Sequence, residues 1–135
     1  MRTLFFLLVF FIVAEAYGQK CEYSTFEPAK VPWGHTRVTI RISTLREIRG
    51  LVTDQNGVPI TGAAVVLTKI EKEEGKLIGG TYTDDQGRFC FGYPGDGKYS
   101  IEFGAEGFNS IEVLFSLSRR VSNSRKLRIY LPVGT

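Results

Sequence analysis

Two adjacent carboxylates, Asp84 and Asp85 in "YTDDQGRFCF" (82–91), are the residues whose types could most readily do chemistry. A general acid and a general base must converge on one bond. Neighbours at a strand end face opposite sides, so this pair does not converge. An aspartate before Gly87 can instead accept hydrogen bonds from backbone N–H groups just downstream, an Asx turn that shapes a hairpin. The same reading applies to "DQNG" (54–57), which lacks the spaced oxygen donors and the distal glutamate of a calcium loop. His35 is the only histidine, and with Cys21 and Cys90 it has no metal-ligand spacing. The sequence therefore points to no catalytic residue, no metal and no cofactor.

The cysteines take their meaning from the compartment. Arg2 opens the chain, Leu4 to Ala14 is an unbroken apolar run, and Ala14-Glu15-Ala16 has the small-x-small spacing of a processing site. This predicts a signal peptide over 1–18, cut after Ala16 or Gly18, and no stable membrane insertion afterwards. The apolar run is well short of the ~20 residues a helix needs to span a bilayer. A secreted, periplasmic or cell-surface protein follows. In such a compartment two cysteines most often pair, so a Cys21–Cys90 bridge is expected, with two free thiols as the alternative. The net charge of +3 is mildly basic and names no partner.

The elements that position these residues are strands. Residues 19–36 hold Trp33 and His35 without periodicity and read as an N-terminal strap before a domain at 37–135. Apolar residues then alternate at period two: Val38, Ile40, Ile42; Ile48, Gly50, Val52; Ala63, Val65, Leu67; Phe89, Phe91, Tyr93; Tyr99, Ile101, Phe103; Leu127, Ile129, Leu131. "EKEEGK" (71–76) reads as a polar loop. If Phe89 and Phe91 face inward, Arg88 and Cys90 face outward, where a strap carrying Cys21 could reach. The spacing predicts an all-β, seven- to eight-stranded antiparallel Greek-key sandwich, transthyretin- or immunoglobulin-like.

Several of these residues also fall into a family pattern. Gly50, Val52, Asp54, Gly57 and Pro59; Gly62, Ala63, Val65 and Leu67; Thr83, Asp84, Gly87 and Phe89; Gly97 and Tyr99; and Ala105, Gly107 and Phe108 follow in order. Over about residues 47–117 this closely resembles the carboxypeptidase regulatory-like domain family. The resemblance implies a transthyretin-like sandwich, grouped with starch-binding-like domains and serving as a non-catalytic companion of other proteins, here with no attached catalytic domain. A hydroxyisourate hydrolase of similar fold relies on several histidines and a C-terminal Tyr-Arg-Gly-Ser. This chain ends "IYLPVGT" and has one histidine.

Two binding functions fit such a scaffold. Sandwich edges can accept a protein strand through backbone hydrogen bonds. Alternatively, Trp33, Tyr23 or Tyr82 could stack on a sugar of an envelope polysaccharide, although strap anchoring by Trp33 and β-propensity at Tyr82 are the favoured explanations of those two rings. Tyr99, in "GKY", matches a tyrosine corner that ties its hydroxyl to the backbone. Arg119, Arg120, Arg125, Lys126 and Arg128, with Arg37, Arg41, Arg46 and Arg49, suit a solvated, aggregation-resistant surface or an anionic envelope surface rather than nucleic acid.

Overall fold

The computed structural model describes residues 21, 36–122 and 125–134. Eight strands run in order β1 (Arg37–Arg41), β2 (Ile48–Thr53), β3 (Ala64–Glu71), β4 (Glu74–Tyr82), β5 (Arg88–Phe91), β6 (Gly97–Gly104), β7 (Ser110–Leu117) and β8 (Leu127–Tyr130). They form a five-stranded sheet, β1-β7-β6-β3-β4, and a three-stranded sheet, β5-β2-β8. The all-β sandwich expected from the alternation is present. The sheets are mixed rather than wholly antiparallel, because β1 lies parallel to β7 and β2 parallel to β8. Parallel neighbours need long connections, and these two pairs join strands far apart in sequence.

The core lies between the sheets. Val65, Leu67, Ile101, Phe103, Val113 and Phe115 meet Ile48, Val52, Phe89, Phe91, Leu127 and Ile129 in one buried cluster. Phe89 and Phe103 cross edge-to-face with centroids 5.1 Å apart, a contact worth about 1 kcal/mol beyond the area it buries. Tyr99 is fully buried and donates its hydroxyl to the Gly95 carbonyl at 2.8 Å, tying the β6 entry to the preceding turn.

Where alternation misreads burial, the sheets' unequal widths and neighbouring side chains give the reason. Val38 and Ile40 are 43% and 40% exposed. They sit on the edge strand β1, while the narrower sheet places β5 near β4, at the far edge. Ala64 and Val66 are buried although they alternate with the core residues. They stand in register with the longer Tyr82 and Glu102 on adjacent strands.

The stretch 71–76 is a hairpin rather than a loop. Strands β3 and β4 extend to Glu71 and Glu74, joined by Lys72 and Glu73, both at positive φ. A two-residue turn of this hand matches the strand twist. At Gly50 a side chain is impossible without backbone movement: an added Cβ would lie 2.0 Å from the Leu127 carbonyl oxygen, so glycine permits the β2–β8 approach.

Candidate binding face

The two aspartate turns resolve as twins. Asp54 Oδ1 accepts from the N–H groups of Asn56 and Val58 at 2.8 and 3.0 Å. Asp84 Oδ1 accepts from Gln86 and Arg88 at 2.9 and 2.8 Å. In each, the glycine N–H closes the turn on the aspartate carbonyl. Both carboxylates are occupied in shaping backbone, and Asp85 is exposed. The first of these turns is backed by Pro59, whose bridge to Thr53 precedes Gly62 and Ala63. Thr83 joins the two turn regions: its hydroxyl donates to the Ile60 carbonyl and accepts from the Ala63 N–H. Gly107 and Phe108 close the β6–β7 turn, the Phe108 N–H bonding to the Ala105 carbonyl.

Cys21 and Cys90 form a disulfide, their Cα atoms 5.1 Å apart. It reaches β5 from outside the sandwich, on the face that alternation assigned to Cys90. Trp33, Tyr23 and His35 lie outside the described residues. Tyr82 is 51% exposed on β4, beside Ala64 on the five-stranded sheet.

What gathers around the disulfide is a basin on the outer face of the three-stranded sheet, with a volume of about 430 Å³. Its lining includes Arg49, Leu51, Arg88, Lys126 and Arg128 beside Cys21 and Cys90. The register explains the grouping. Arg49 stands opposite Cys90, and Leu51 stands between Arg88 on β5 and Arg128 on β8. Inward-facing Phe89, Val52 and Ile129 anchor the same strands to the core, so alternation delivers one cation per strand to the other face. Adjacent strands are ~4.8 Å apart, which separates the Arg88 and Arg128 backbones by roughly 10 Å across the basin.

Among the described residues, two of the four basin cations face a carboxylate. Arg88 Nε lies 3.1 Å from Asp84 Oδ2, and Arg49 Nε lies 3.0 Å from Glu47 Oε1. Lys126 and Arg128 have no carboxylate within ion-pair distance among the described residues. Exposed pairs of this kind contribute little to stability, so they leave the arginines available. Tyr130, 57% exposed, follows Arg128 on the same face of β8.

The basic residues seen in the sequence thus separate. Arg49, Lys126 and Arg128 join Arg88 in the basin. Arg119 packs over the Tyr93 ring at 4.0 Å, and Tyr93 in turn donates its hydroxyl to Asp96. Arg37 lies on the other sheet, 3.5 and 3.8 Å from Glu102 and Glu112. Burial pushes the Glu102 carboxyl above its ordinary range, with Arg37 opposing that shift. Arg88 and Tyr130 are candidate residues that the sequence did not single out. Their outward alternation was the available signal, but nothing in the sequence placed β5, β2 and β8 side by side.

The described residues contain no group of three or more His, Cys, Asp or Glu able to hold a metal ion. They also contain no helix long and apolar enough to cross a membrane.

The carboxypeptidase regulatory-like domain profile matches residues 47–131, more than half of the chain and all of β2 to β8. The chain belongs to this family. The matched residues of the carboxypeptidase regulatory-like domain include three sides of the basin, Arg49, Arg88 and Arg128, while Cys21 lies outside it. No curated protein sequence matches the chain. Among solved structures, a 3-chlorocatechol 1,2-dioxygenase from Rhodococcus opacus 1CP is 14% identical, covering 93% of this chain and 77% of that one, with a TM-score of 0.46. An (S)-allantoin synthase is 20% identical, covering 66% of this chain and 39% of that one, with a TM-score of 0.41. Likenesses this distant carry no argument about reaction or ligand.

Proposed function

We propose that this carboxypeptidase regulatory-like domain is an exported, non-catalytic binding module acting at the cell envelope through the outer face of its three-stranded sheet. The observation that carries the reading is the basin itself: a concave site of ligand-binding size, with cations arranged by strand register around an apolar floor at Leu51. Export is supported by the leader-like sequence over 1–18 and by the disulfide, a bond that persists in oxidising compartments. A non-catalytic role is supported by the twin turns, which commit Asp54 and Asp84 to backbone hydrogen bonds.

The test is retention of the purified, oxidised protein on isolated cell envelopes of the producing organism. The wild type is expected to be retained and the Lys126→Ala/Arg128→Ala double variant released. Equal retention of the two would remove the basin as the binding site. Loss of retention in Tyr82→Ala instead would move the site to the five-stranded sheet.

A further inference from the structure

We propose that the basin takes an acidic polysaccharide, its carboxylate or sulfate groups held by Lys126, Arg128 and Arg88 and one sugar ring laid against Tyr130. The proposal rests on the basin being the binding site, and it names the ligand class.

Charge complementarity excludes a neutral ligand as the best fit. Four cationic side chains line the basin, and only Arg49 and Arg88 face a carboxylate among the described residues. Planar guanidinium groups on two strands present paired N–H donors that match carboxylate or sulfate oxygens. A free small anion would use one such group and leave the others idle. Cations spread over three strands, roughly 10 Å across, suit acidic groups repeated along a chain.

Tyr130 decides between polymers. Two residues beyond Arg128 on one strand, its side chain leaves the same face, roughly 6.7 Å further along, and it is 57% exposed. A phenol beside a cation offers an apolar ring face to a sugar and a polar tip to its hydroxyls. A membrane surface is a poorer fit, since binding there uses protruding apolar residues and this site is concave. Single-stranded nucleic acid is bound by several aromatic rings in series along a groove. Among the described residues one exposed ring, Tyr130, lies on the face of the basin, and a disulfide-forming compartment is not where nucleic acid is the resident polyanion.

The experiment is calorimetric titration of the oxidised full mature chain with hexagalacturonate and a heparin hexasaccharide, and in parallel with maltohexaose, a short single-stranded DNA and phosphatidylglycerol vesicles. Either acidic oligosaccharide, or both, is expected to bind, more weakly as salt increases, and the neutral one not to bind. Lys126→Ala/Arg128→Ala should raise Kd at least about tenfold. Tyr130→Ala should raise it about threefold, and Tyr130→Phe should leave it unchanged. Lys98→Ala, on the other sheet, is the control for net charge. All four are exposed positions, and an unchanged melting temperature verifies the fold of each variant.

Three results overturn the proposal: no binding of either acidic oligosaccharide, binding indifferent to the Lys126/Arg128 variant, or DNA or vesicles bound as tightly as the oligosaccharides. If the double variant still loses retention on envelopes while no acidic oligosaccharide binds, the ligand class fails and the binding-module reading stands. If both measurements ignore the double variant, both fail.

Discussion

Asp54 and Asp84 perform the same task thirty residues apart. Each replaces missing backbone hydrogen bonds in a turn that ends in glycine, and Asp84 also holds Arg88 at the wall of the basin. Asp84→Ala removes two turn hydrogen bonds and should cost about 2 kcal/mol by urea denaturation. Asp85→Ala should change stability by less than about 0.5 kcal/mol, as exposed substitutions usually do. Equal effects at both positions would contradict the turn assignment. Glu102 gives a pH-dependent contrast. Its carboxyl is raised above 4.5 by burial, so the folded state holds the proton more tightly than the unfolded chain. Its contribution is therefore fully present below that ordinary value and lost as pH rises through the raised one. Glu102→Gln should flatten this fall in the denaturation midpoint from pH 4.5 upward, while keeping Arg37 near Glu112.

At the scale of elements, the β3–β4 hairpin turns on two non-glycine residues at positive φ, Lys72 and Glu73. Replacing them with Asn and Gly, the pair such turns favour, should stabilise the protein by about 1 kcal/mol. An unchanged or lower urea midpoint would argue against the turn. The sequence hid this hairpin because its tip leaves the core, with Glu71 of β3 and Glu74 to Leu77 of β4 exposed and no buried face there to impose alternation, and the turn lacks an Asn-Gly signature. The strands of the sandwich proper were legible: Phe89 and Phe91, Ile101 and Phe103, and Leu127 and Ile129 alternate because one face of each strand is buried. Strand partnership was not legible. Period two assigns Arg49, Arg88 and Arg128 to outer faces, but only the order β5-β2-β8 brings those faces together. Sequence proximity instead grouped Arg128 with Arg119, which packs on Tyr93. The conspicuous aromatic Tyr82 lies on β4 of the other sheet, outside the lining of the basin.

At the scale of the whole molecule, the disulfide links a residue ahead of β1 to β5 across a sequence separation of 69. Closing a loop of that length removes disorder from the unfolded chain, and the Cys21→Ser/Cys90→Ser variant should lose about 4 kcal/mol by urea denaturation on the chain-entropy account. A loss below about 1 kcal/mol would mean that the bridge serves the rim of the basin rather than the fold. The sandwich buries the apolar side of each small-sheet strand and leaves a cationic side outside, so scaffold and candidate site are two consequences of one alternation. The central claim, that this molecule binds through the outer face of its three-stranded sheet, is tested most directly by mapping amide chemical-shift changes on the isotopically labelled, oxidised protein titrated with hexagalacturonate. Shifts are expected at Arg49–Leu51, Arg88–Cys90 and Lys126–Tyr130, and none in the Lys126→Ala/Arg128→Ala variant. Shifts centred on β4 around Tyr82 would contradict the claim, whereas no shifts with hexagalacturonate and a heparin hexasaccharide alike would remove the ligand class.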